Sequence, residues 1–310
     1  MINTEKLTKK FGNDRGVFDL NLQVEPSSIY GFIGPNGAGK TTTIKLLCGL
    51  LKQDSGKAFV DGIEVTPSNI SEIKKRIGYM PDITGVYEQM SVWEFLDFYG
   101  AAFKIPPKDR KKRIGEVLDI TNAANMIDYQ MTSLSRGMRQ RIGLAKTLIH
   151  DPAILILDEP AGGLDPNARI EMRQTIDRLK SLGKTILLSS HILPELSSVC
   201  DKVGIIFKGK LLVQGTVKEI SRQLQENLVI EVTVDSDAEE AGALLNRIEG
   251  VEKVEVLDSN DLQFVFNGTR NQISGVLSLL MQNGILVRWF SENEADLENV
   301  FMGITQRENN

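Results

Sequence analysis

Short apolar runs alternate with helical patterns over the first two thirds of the chain. Each apolar run is bounded by polar or turn residues, a pattern typical of strands that are buried on both faces of a sheet. These runs occupy residues 29–33, 154–157, 185–188 and 203–207. Between them, apolar residues recur with the period of a helix over residues 41–51, 92–103 and 168–182. The alternation predicts an α/β domain.

The last third of the chain has a different pattern. Residues 228–235 alternate like a strand, and residues 238–248 follow with helical spacing. A hairpin of two strands, a helix and a further strand come next, at residues 251–257, 262–266, 271–281 and 285–290. The order βαββαβ is that of the split βαβ or ferredoxin-like arrangement. Residues 295–304 predict one more helix.

The charge distribution changes where the pattern changes. Residues 1–220 carry 30 basic and 25 acidic side chains, whereas residues 221–310 carry 6 basic and 16 acidic ones. The shift falls beside a polar stretch at residues 221–227. We therefore expect two domains, a large one over residues 1–220 and a small α+β domain over residues 221–310.

Composition narrows the class of protein and its partners. The 310 residues, 41% of them hydrophobic and 25% charged, suit one large and one smaller globular domain. A net charge of −5 argues against binding nucleic acid through bulk electrostatic attraction. Two cysteines without a CxxC pair favour a reducing compartment. The sequence contains neither an N-terminal apolar signal region nor a run of about 18 apolar residues, so we expect a soluble chain.

A phosphate-binding motif stands between the first predicted strand and its helix. It reads Gly34-Pro35-Asn36-Gly37-Ala38-Gly39-Lys40-Thr41 and matches G-x-x-x-x-G-K-[ST] in full. Glycines allow backbone N–H groups to turn towards phosphate oxygens, and the N-terminus of the following helix adds partial positive charge. The motif assigns Lys40 to the β- and γ-phosphates and the Thr41 hydroxyl to Mg²⁺, with Thr42 beside them. The sequence thus predicts a site for ATP and Mg²⁺.

Two acidic residues follow the apolar run at residues 154–157. If that run is a buried strand, Asp158 lies at its C-terminal tip beside the phosphate loop, where it would hold Mg²⁺ through water. Glu159 would then point at the attacking water. Acidic residues also occur at strand ends for structural reasons alone, and it is the phosphate loop that favours the functional interpretation here.

A third motif lies between the phosphate loop and the acidic pair. It reads Leu134-Ser135-Arg136-Gly137-Met138-Arg139-Gln140-Arg141. This stretch resembles the signature LSGGQ-x-Q-R of ATP-binding cassette (ABC) ATPases, with Arg136 in place of a glycine and Met138 in place of the glutamine. Ser135 would cap a helix whose first amides face a phosphate group. Taken alone, the stretch could equally be an ordinary serine-capped helix.

The order of the motifs resembles a complete ABC ATP-binding cassette over residues 1 to about 220. The three motifs are followed by the turn Ala161-Gly162-Gly163-Leu164-Asp165 and by His191 at a strand end. The resemblance implies a P-loop NTPase cassette with a mixed sheet and a helical subdomain. In that family two cassettes sit head to tail, and each ATP lies between the phosphate loop of one cassette and the signature of the other.

The resemblance also implies roles for residues around the nucleotide. Phe11 would stack on adenine, although it could instead be a core aromatic residue, with the nearby Phe18 as the competing candidate. Glu159 would polarise the attacking water. Lys40 and His191 would contact the γ-phosphate.

Further residues would act between two cassettes or at the loop that faces the membrane partner. Ser135 and Gly137 would contact the ATP of the partner cassette, and Asp165 would link the two sites. Residues 77–82 match a region that ends in glutamine in the family, and Asp82 stands at that position. An ionised carboxylate cannot donate the hydrogen bond of an amide, but it could meet Mg²⁺ or its waters. Asp82 is therefore a candidate metal ligand.

The resemblance implies the ATP-hydrolysing subunit of a transporter at the cytoplasmic face of the membrane, with the permease as a separate chain. The aromatic helix over residues 92–103 would pack near the permease, although its individual aromatic residues could simply belong to the core. The partner cassette would be a second copy or a relative. The departures at Arg136, Met138 and Asp82 and the tail over residues 221–310 resemble antibiotic and multidrug export ATPases. We therefore expect an exporter and no nucleic-acid partner.

The alternative is a soluble ABC ATPase that acts on nucleic acid or on the ribosome. Chromosome-associated members carry long coiled coils between the two ATP motifs, ribosomal members carry two cassettes, and excision-repair members carry CxxC inserts. The sequence contains none of these three features.

Overall fold

The computed structural model of the chain describes residues 1–12, 15–83, 85, 87, 89–191, 199–224, 228–235, 237–268 and 270–292. The chain divides into two units, Met1–Val217 and Lys218–Asn310. In the part of the chain described, no helix combines the length and the apolar composition needed to cross a bilayer.

The strands of the first unit form two sheets. In chain order they are β1 (Ile2–Lys10), β2 (Gly16–Leu20), β3 (Gln23–Val24), β4 (Ile29–Ile33), β5 (Ser55–Val60), β6 (Ile63–Glu64), β7 (Ile77–Met80), β8 (Ile154–Leu157), β9 (Thr185–Ser190), β10 (Lys202–Phe207) and β11 (Lys210–Gly215). The larger sheet has the order β11-β10-β4-β9-β8-β7, and its neighbours are parallel except for the edge pair β10–β11. The smaller sheet, β2-β1-β5-β6 with β3 beside β1, is antiparallel.

The larger sheet confirms the predicted α/β core. Each residue of β4 is buried between β9 and β10, which explains why its sequence is an uninterrupted apolar run. β8 and β9 are also buried throughout. The sequence pattern did not predict β7 or the smaller antiparallel sheet.

The helices of the first unit cover the sheets and form a separate cluster. They are α1 (Lys40–Leu47), α2 (Ile70–Arg76), α3 (Val92–Ala102), α4 (Pro107–Ile120), α5 (Arg136–Leu148) and α6 (Pro166–Ser181), and α7 (Val217–Leu224) follows at the boundary of the units. α3, α4 and α5 pack against one another as the expected helical subdomain. Trp93 on α3 is half-buried.

α1 is shorter than the sequence pattern predicts. It ends at Leu47, four residues before the expected end, and Cys48 forms the C-cap. Gly49 then takes a left-handed conformation with φ of 64°, which ends the helix in the manner typical of glycine. The N–H of Leu50 donates to the carbonyl oxygen of Lys45 at 2.8 Å, so that the last turn is closed.

The second unit is built from one antiparallel sheet and helices. Its elements after α7 are β12 (Leu228–Val234), α8 (Ala238–Leu245), β13 (Val251–Val256), β14 (Asp261–Phe266), α9 (Arg270–Gln282) and β15 (Val287–Glu292). The sheet has the order β13-β14-β12-β15 with antiparallel neighbours throughout. These elements confirm the predicted order of strands and helices over residues 228–292. The helix predicted over residues 295–304 lies outside the described residues.

A separate hydrophobic core holds the second unit together. Side chains from β12, β14, α8 and α9 meet in it, among them Ile230, Phe264, Leu245 and Leu280. The other face of the sheet is more polar and carries Trp289, whose side chain is 62% exposed. The alternation of buried and half-buried residues along β14 is that of a strand with one face on the core.

Candidate functional site

The phosphate loop connects β4 to α1 and needs glycine at its turns. Gly37 and Gly39 have φ angles of 83° and 113°, which L side chains rarely adopt. Gly34 lies against β10, where a Cβ atom would stand 2.3 Å from the carbonyl oxygen of Ile206. The chain therefore passes from the buried strand into the first turn of α1 by a route that only glycine can follow.

Lys40 bends back over this loop. Its Nζ donates to the carbonyl oxygens of Gly34 at 2.6 Å and Pro35 at 3.3 Å. The same atom lies 3.2 Å from Oε1 of Glu159, and only 6% of the lysine side chain is exposed. A buried ammonium group needs hydrogen-bond acceptors or an opposite charge. Here the loop carbonyls and Glu159 provide both.

The acidic pair at the end of β8 is held by a serine of the neighbouring strand. Asp158 is buried, and its Oδ1 accepts a hydrogen bond from Oγ of Ser189 at 2.6 Å. The N–H of Glu159 donates to the same Oγ at 3.0 Å. Glu159 has a left-handed φ of 50°, so the chain turns sharply between the two carboxylates. No sequence motif marks Ser189 as part of the site.

His191 completes a chain of polar contacts around Glu159. Its Nδ1 lies 2.8 Å from Oε2 of Glu159, while Oε1 of the same carboxylate faces Lys40. The three residues predicted to be catalytic are thus in direct contact. Glu159 is bridged between two groups that can each donate to an anion.

An open cleft of about 690 Å³ lies in front of the phosphate loop. It is lined by Phe11, Arg15, Gly16, Pro35, Asn36, Gly37, Gly39, Lys40, Thr41, Thr42, Asp82 and Glu159. Ten of these twelve residues were assigned to the site from the sequence. Arg15 and Gly16 were missed because no motif marks them; the turn between β1 and β2 brings them to the cleft. Ala38 is buried beneath the loop.

The candidate metal ligands differ in their surroundings. Thr41 is exposed on the first turn of α1, and Asp82 lines the same cleft, whereas Asp158 is buried at the end of β8. Among the described residues, no group of three or more His, Cys, Asp or Glu side chains is arranged to hold a metal ion. Mg²⁺ usually keeps several waters and binds through one or two carboxylates together with substrate phosphates. A hydroxyl and carboxylates beside a phosphate loop fit that donor set.

The half-buried Tyr79 and the buried Cys48, both close enough to feel the charge of Asp158, remain neutral at pH 7. Burial, together with the smaller effect of the Asp158 charge, raises the pKa of Tyr79 to about 12. The same two causes, in the same order, raise the pKa of the Cys48 thiol. Neither group therefore adds a second negative charge beside Asp158.

The two aromatic candidates for adenine lie in different surroundings. Phe11 is 52% exposed and lines the cleft. Phe18 is half-buried and packs against Gly209, where a Cβ atom would stand 2.7 Å from its ring. The structure therefore places Phe11, and not Phe18, at the mouth of the cleft.

The signature residues begin α5 and are occupied within their own chain. Oγ of Ser135 accepts a hydrogen bond from the N–H of Met138 at 3.3 Å and caps the helix. Gly137 lies against α6, where a Cβ atom would stand 3.3 Å from Cβ of Ala168. Asp165 likewise caps α6, because its Oδ1 accepts from the N–H of Ala168 at 2.9 Å. None of the three residues lines the cleft described above.

Arg136, which replaces a glycine of the signature, covers the turn after the acidic pair. A Cβ atom built on Gly163 would stand 2.4 Å from Cζ of the guanidinium group. Gly163 also has a left-handed φ of 65°. The arginine therefore packs on Gly163, in the turn of residues 161–165 that ends in Asp165.

The whole chain was compared with known proteins, beyond the residues of the cleft. The family model described as ABC transporter matches residues 17–162. The bacitracin transport ATP-binding protein BcrA of Bacillus licheniformis is 36% identical over 304 residues, which cover 97% of this chain and 96% of that protein. The linearmycin resistance ATP-binding protein LnrL of Bacillus subtilis is 28% identical, with 99% of each chain covered. The chain spans 59% and 62% of the lengths of two uncharacterized relatives, from Nostoc and Synechocystis.

Solved structures match most of the chain. CbiO1 from Clostridium perfringens, described as part of the ABC transporter complex cbiONQ, is 26% identical with a TM-score of 0.64. The match covers 72% of this chain and 94% of that one. This part of the chain therefore has the fold of an ABC ATP-binding cassette.

Proposed function

The chain is an ABC ATPase that belongs to the ATP-binding proteins of ABC transporters, and from this premise we propose that it drives export of an antibiotic or drug-like compound through a separate permease. The observation that carries the proposal is the nearly end-to-end match to the bacitracin transport and linearmycin resistance proteins. That match includes the second unit as well as the cassette. Resistance to a compound is consistent with removing it from the cell.

The contacts of Glu159 support its role as the residue that orients or activates the attacking water. Its carboxylate lies between Lys40 and His191 at the floor of the cleft. The negatively charged γ-phosphate of ATP would replace Glu159 as the partner of these two donors. The carboxylate of Glu159 would then be available to accept a hydrogen bond from water. Lys40 and His191 would then bind phosphate oxygens, while the backbone of residues 34–39 surrounds the phosphate chain.

Mg²⁺ belongs to the proposal because ATP is hydrolysed as its magnesium complex in phosphate-loop enzymes. Thr41 would bind the ion directly, and Asp158 would hold it through water, with Asp82 as a further candidate. The ion would neutralise charge that develops on the phosphate oxygens. The hydrogen bond from Ser189 to the carboxylate of Asp158 supports this role, because it limits the movement of that carboxylate.

The signature residues support a second cassette as partner. Ser135 and Gly137 stand at the N-terminus of α5, where the amides and the helix dipole favour an anion. We propose that this end of the helix meets the γ-phosphate bound to another cassette, identical or related, and that Asp165 joins the two sites.

An aromatic surface supports a membrane permease as a further partner. Tyr87, Phe98, Phe103 and Tyr129 are exposed near the helical subdomain. Tyr87 and Phe98 contact each other edge to face, with ring centroids 5.5 Å apart. Exposed aromatic clusters of this kind are typical of protein interfaces. The chain would then be held at the cytoplasmic face of the membrane through the permease.

We infer that the first domain is the cassette over residues 1–220 and that residues 221–310 form a ferredoxin-like accessory domain. The sheet order β13-β14-β12-β15 supports this, because the first and second strands of the βαββαβ unit flank the third, as in a split βαβ arrangement. The domain would regulate turnover or stabilise the cassette dimer. Deleting residues 221–310 should change the ATPase rate or dimerisation, and an unchanged rate with unchanged dimerisation would exclude the regulatory role.

The experiment that tests the proposed function is purification of the tagged chain from its own membranes in mild detergent. We expect a protein with several membrane spans to copurify in fixed stoichiometry and to be identified by mass spectrometry. Recovery from the soluble fraction with ribosomal or DNA-bound partners would instead favour the alternative ABC ATPase. Loss of the permease gene should then sensitise cells to the exported compound.

A further inference from the structure

Phe11 is fixed by its backbone at the mouth of the cleft, while its ring stays exposed. The N–H of Phe11 donates to the carbonyl oxygen of Arg15 at 2.7 Å. Gly16 closes the turn, since a Cβ atom there would stand 2.0 Å from the carbonyl oxygen of Lys9. These contacts place Phe11 at the cleft, but they do not determine which face of the ring is available.

Asp54 binds the strand that leads to Phe11 at three successive residues. Its N–H donates to the carbonyl oxygen of Thr8 at 2.9 Å. Its Oδ1 accepts from Nζ of Lys9 at 2.8 Å, and its Oδ2 accepts from the N–H of Lys10 at 2.7 Å. The hydrogen bonds from Lys9 and Lys10 hold the pKa of this carboxyl below its usual range. Asp54 is therefore ionised at neutral pH and uses both oxygens to hold β1.

The ammonium group that Asp54 holds lies over the ring of Phe11. Nζ of Lys9 is 5.8 Å from the ring centroid, within the range of a cation–π contact. A lysine without a partner would lose this arrangement easily, because its long side chain has many rotamers. The ion pair with Asp54 limits that freedom. One face of the ring is thus covered by a cation, and a planar base has the opposite face to stack on.

We propose that Asp54 is a positioning residue for the nucleotide base: it holds Lys9 over one face of Phe11, so that the other face is presented to adenine. This inference rests on the proposed function, since it requires ATP in the cleft. Asp54 does not touch the nucleotide and acts through Lys9 and Phe11. Its effect should therefore depend on the base and not on the phosphates.

The test compares binding of ATP with binding of inorganic tripolyphosphate, which has no base, by titration calorimetry on the full chain. Asp54→Asn keeps the shape of the side chain and removes its charge. We expect this variant to bind ATP about two- to fivefold more weakly, the range for a cation–π contact at an exposed site. Its affinity for tripolyphosphate should be unchanged.

A matched control and a double variant separate positioning from simple destabilisation. Asp61→Asn removes another surface carboxylate of the same region, one paired with Arg76, and should leave both affinities unchanged. In the background of Phe11→Ala, Asp54→Asn should cause no further loss of ATP binding. Equal weakening of ATP and tripolyphosphate, or additive losses in the double variant, would overturn the proposal. Absence of tripolyphosphate binding by the unaltered chain would instead contradict the proposed nucleotide site.

Discussion

The phosphate loop and the signature helix lie in the same cassette but differ in what their polar side chains contact. Around the loop, Glu159 contacts both Lys40 and His191, and Lys40 and Glu159 line an open cleft. At the start of α5, Ser135 is used as a helix cap, and Arg136 covers Gly163. The first region is arranged to exchange its internal partners for a ligand. In the second region, the polar side chains already have partners within the chain. The group left to bind a ligand there is mainly the N-terminus of α5.

Because of this difference, we expect the two motifs to respond differently to substitution. Changes at the loop should alter nucleotide chemistry directly, because the side chains concerned face the cleft. Changes at the signature should leave nucleotide binding by one chain intact and alter helix stability or action on a second cassette.

Glu159→Gln should lower the ATPase rate by about 10²- to 10⁴-fold, the usual contribution of a general base, and retain ATP binding. The amide is not basic enough to accept a proton from water, and it cannot form the ion pair with Lys40. The measurement is phosphate release at saturating ATP, with Kd from calorimetry. Glu116→Gln, which alters a half-exposed glutamate on α4 paired with Arg113, is the control and should behave like the unaltered chain. A normal rate for Glu159→Gln would exclude the assigned role.

Ser135→Ala should reduce the free energy of unfolding by about 1 kcal/mol, the usual loss for an N-cap, and leave the Kd of one chain for ATP unchanged. The reason is that Ser135 caps α5 and does not line the cleft. Urea unfolding and calorimetry measure the two quantities. Ser133→Ala, which lies two residues earlier and outside the helix, is the matched control. Weaker ATP binding by the isolated chain would break the proposed division between the two regions.

Arg136→Ala should change overall stability by no more than about 0.5 kcal/mol, as is usual for surface substitutions. Its effect should be local, because the guanidinium group packs on Gly163. Hydrogen exchange of residues 161–165 should become faster, while that of the phosphate loop stays the same. Arg139→Ala, on the same helix, should leave residues 161–165 protected. If residues 161–165 exchange as slowly in Arg136→Ala as in the unaltered chain, the contact does not order the turn.

His150, which follows the C-terminal end of α5, should make the stability of the chain depend on pH, and we expect this effect to be smaller. Burial lowers its pKa, although its hydrogen bond to the carbonyl oxygen of Ile77 acts in the opposite direction. The unfolded chain therefore binds the proton more readily, and stability is lost as the pH falls below about 6.5, the ordinary pKa of histidine. The melting temperature should fall more between pH 7 and 5.5 for the unaltered chain than for His150→Gln. Identical pH profiles would contradict this expectation.

Patterns of apolar residues predicted four strands of the larger sheet, β4, β8, β9 and β10. β4 and β8 consist of apolar residues because both of their faces are covered, and such runs are easily found in a sequence. β1 could not be predicted in the same way. It carries Lys6, Lys9 and Lys10, and its register shifts in pairing with β2 and with β5, so the alternation of buried and exposed residues is broken.

The candidate site was predictable where one local motif carries the chemistry. Residues 34–41 are contiguous, and their glycines are required by backbone geometry that any phosphate loop shares. Ser189 reaches the site through the pairing of β9 with β8, and Arg15 through the turn between β1 and β2; no local motif reports either of them. The helix over residues 41–51 was predicted too long because apolar residues continue past Gly49, where the backbone changes hand.

The placement of Trp93 on α3 and of Trp289 on β15 has an optical consequence. The chain contains two tryptophans, and each unit carries one of them. The indole of Trp289 is already largely in water, so its emission should shift little when the second unit unfolds, whereas that of the half-buried Trp93 should move to longer wavelength. Intrinsic fluorescence of the natural chain thus reports chiefly on the helical subdomain, and replacing Trp93 by phenylalanine leaves an emitter confined to the second unit.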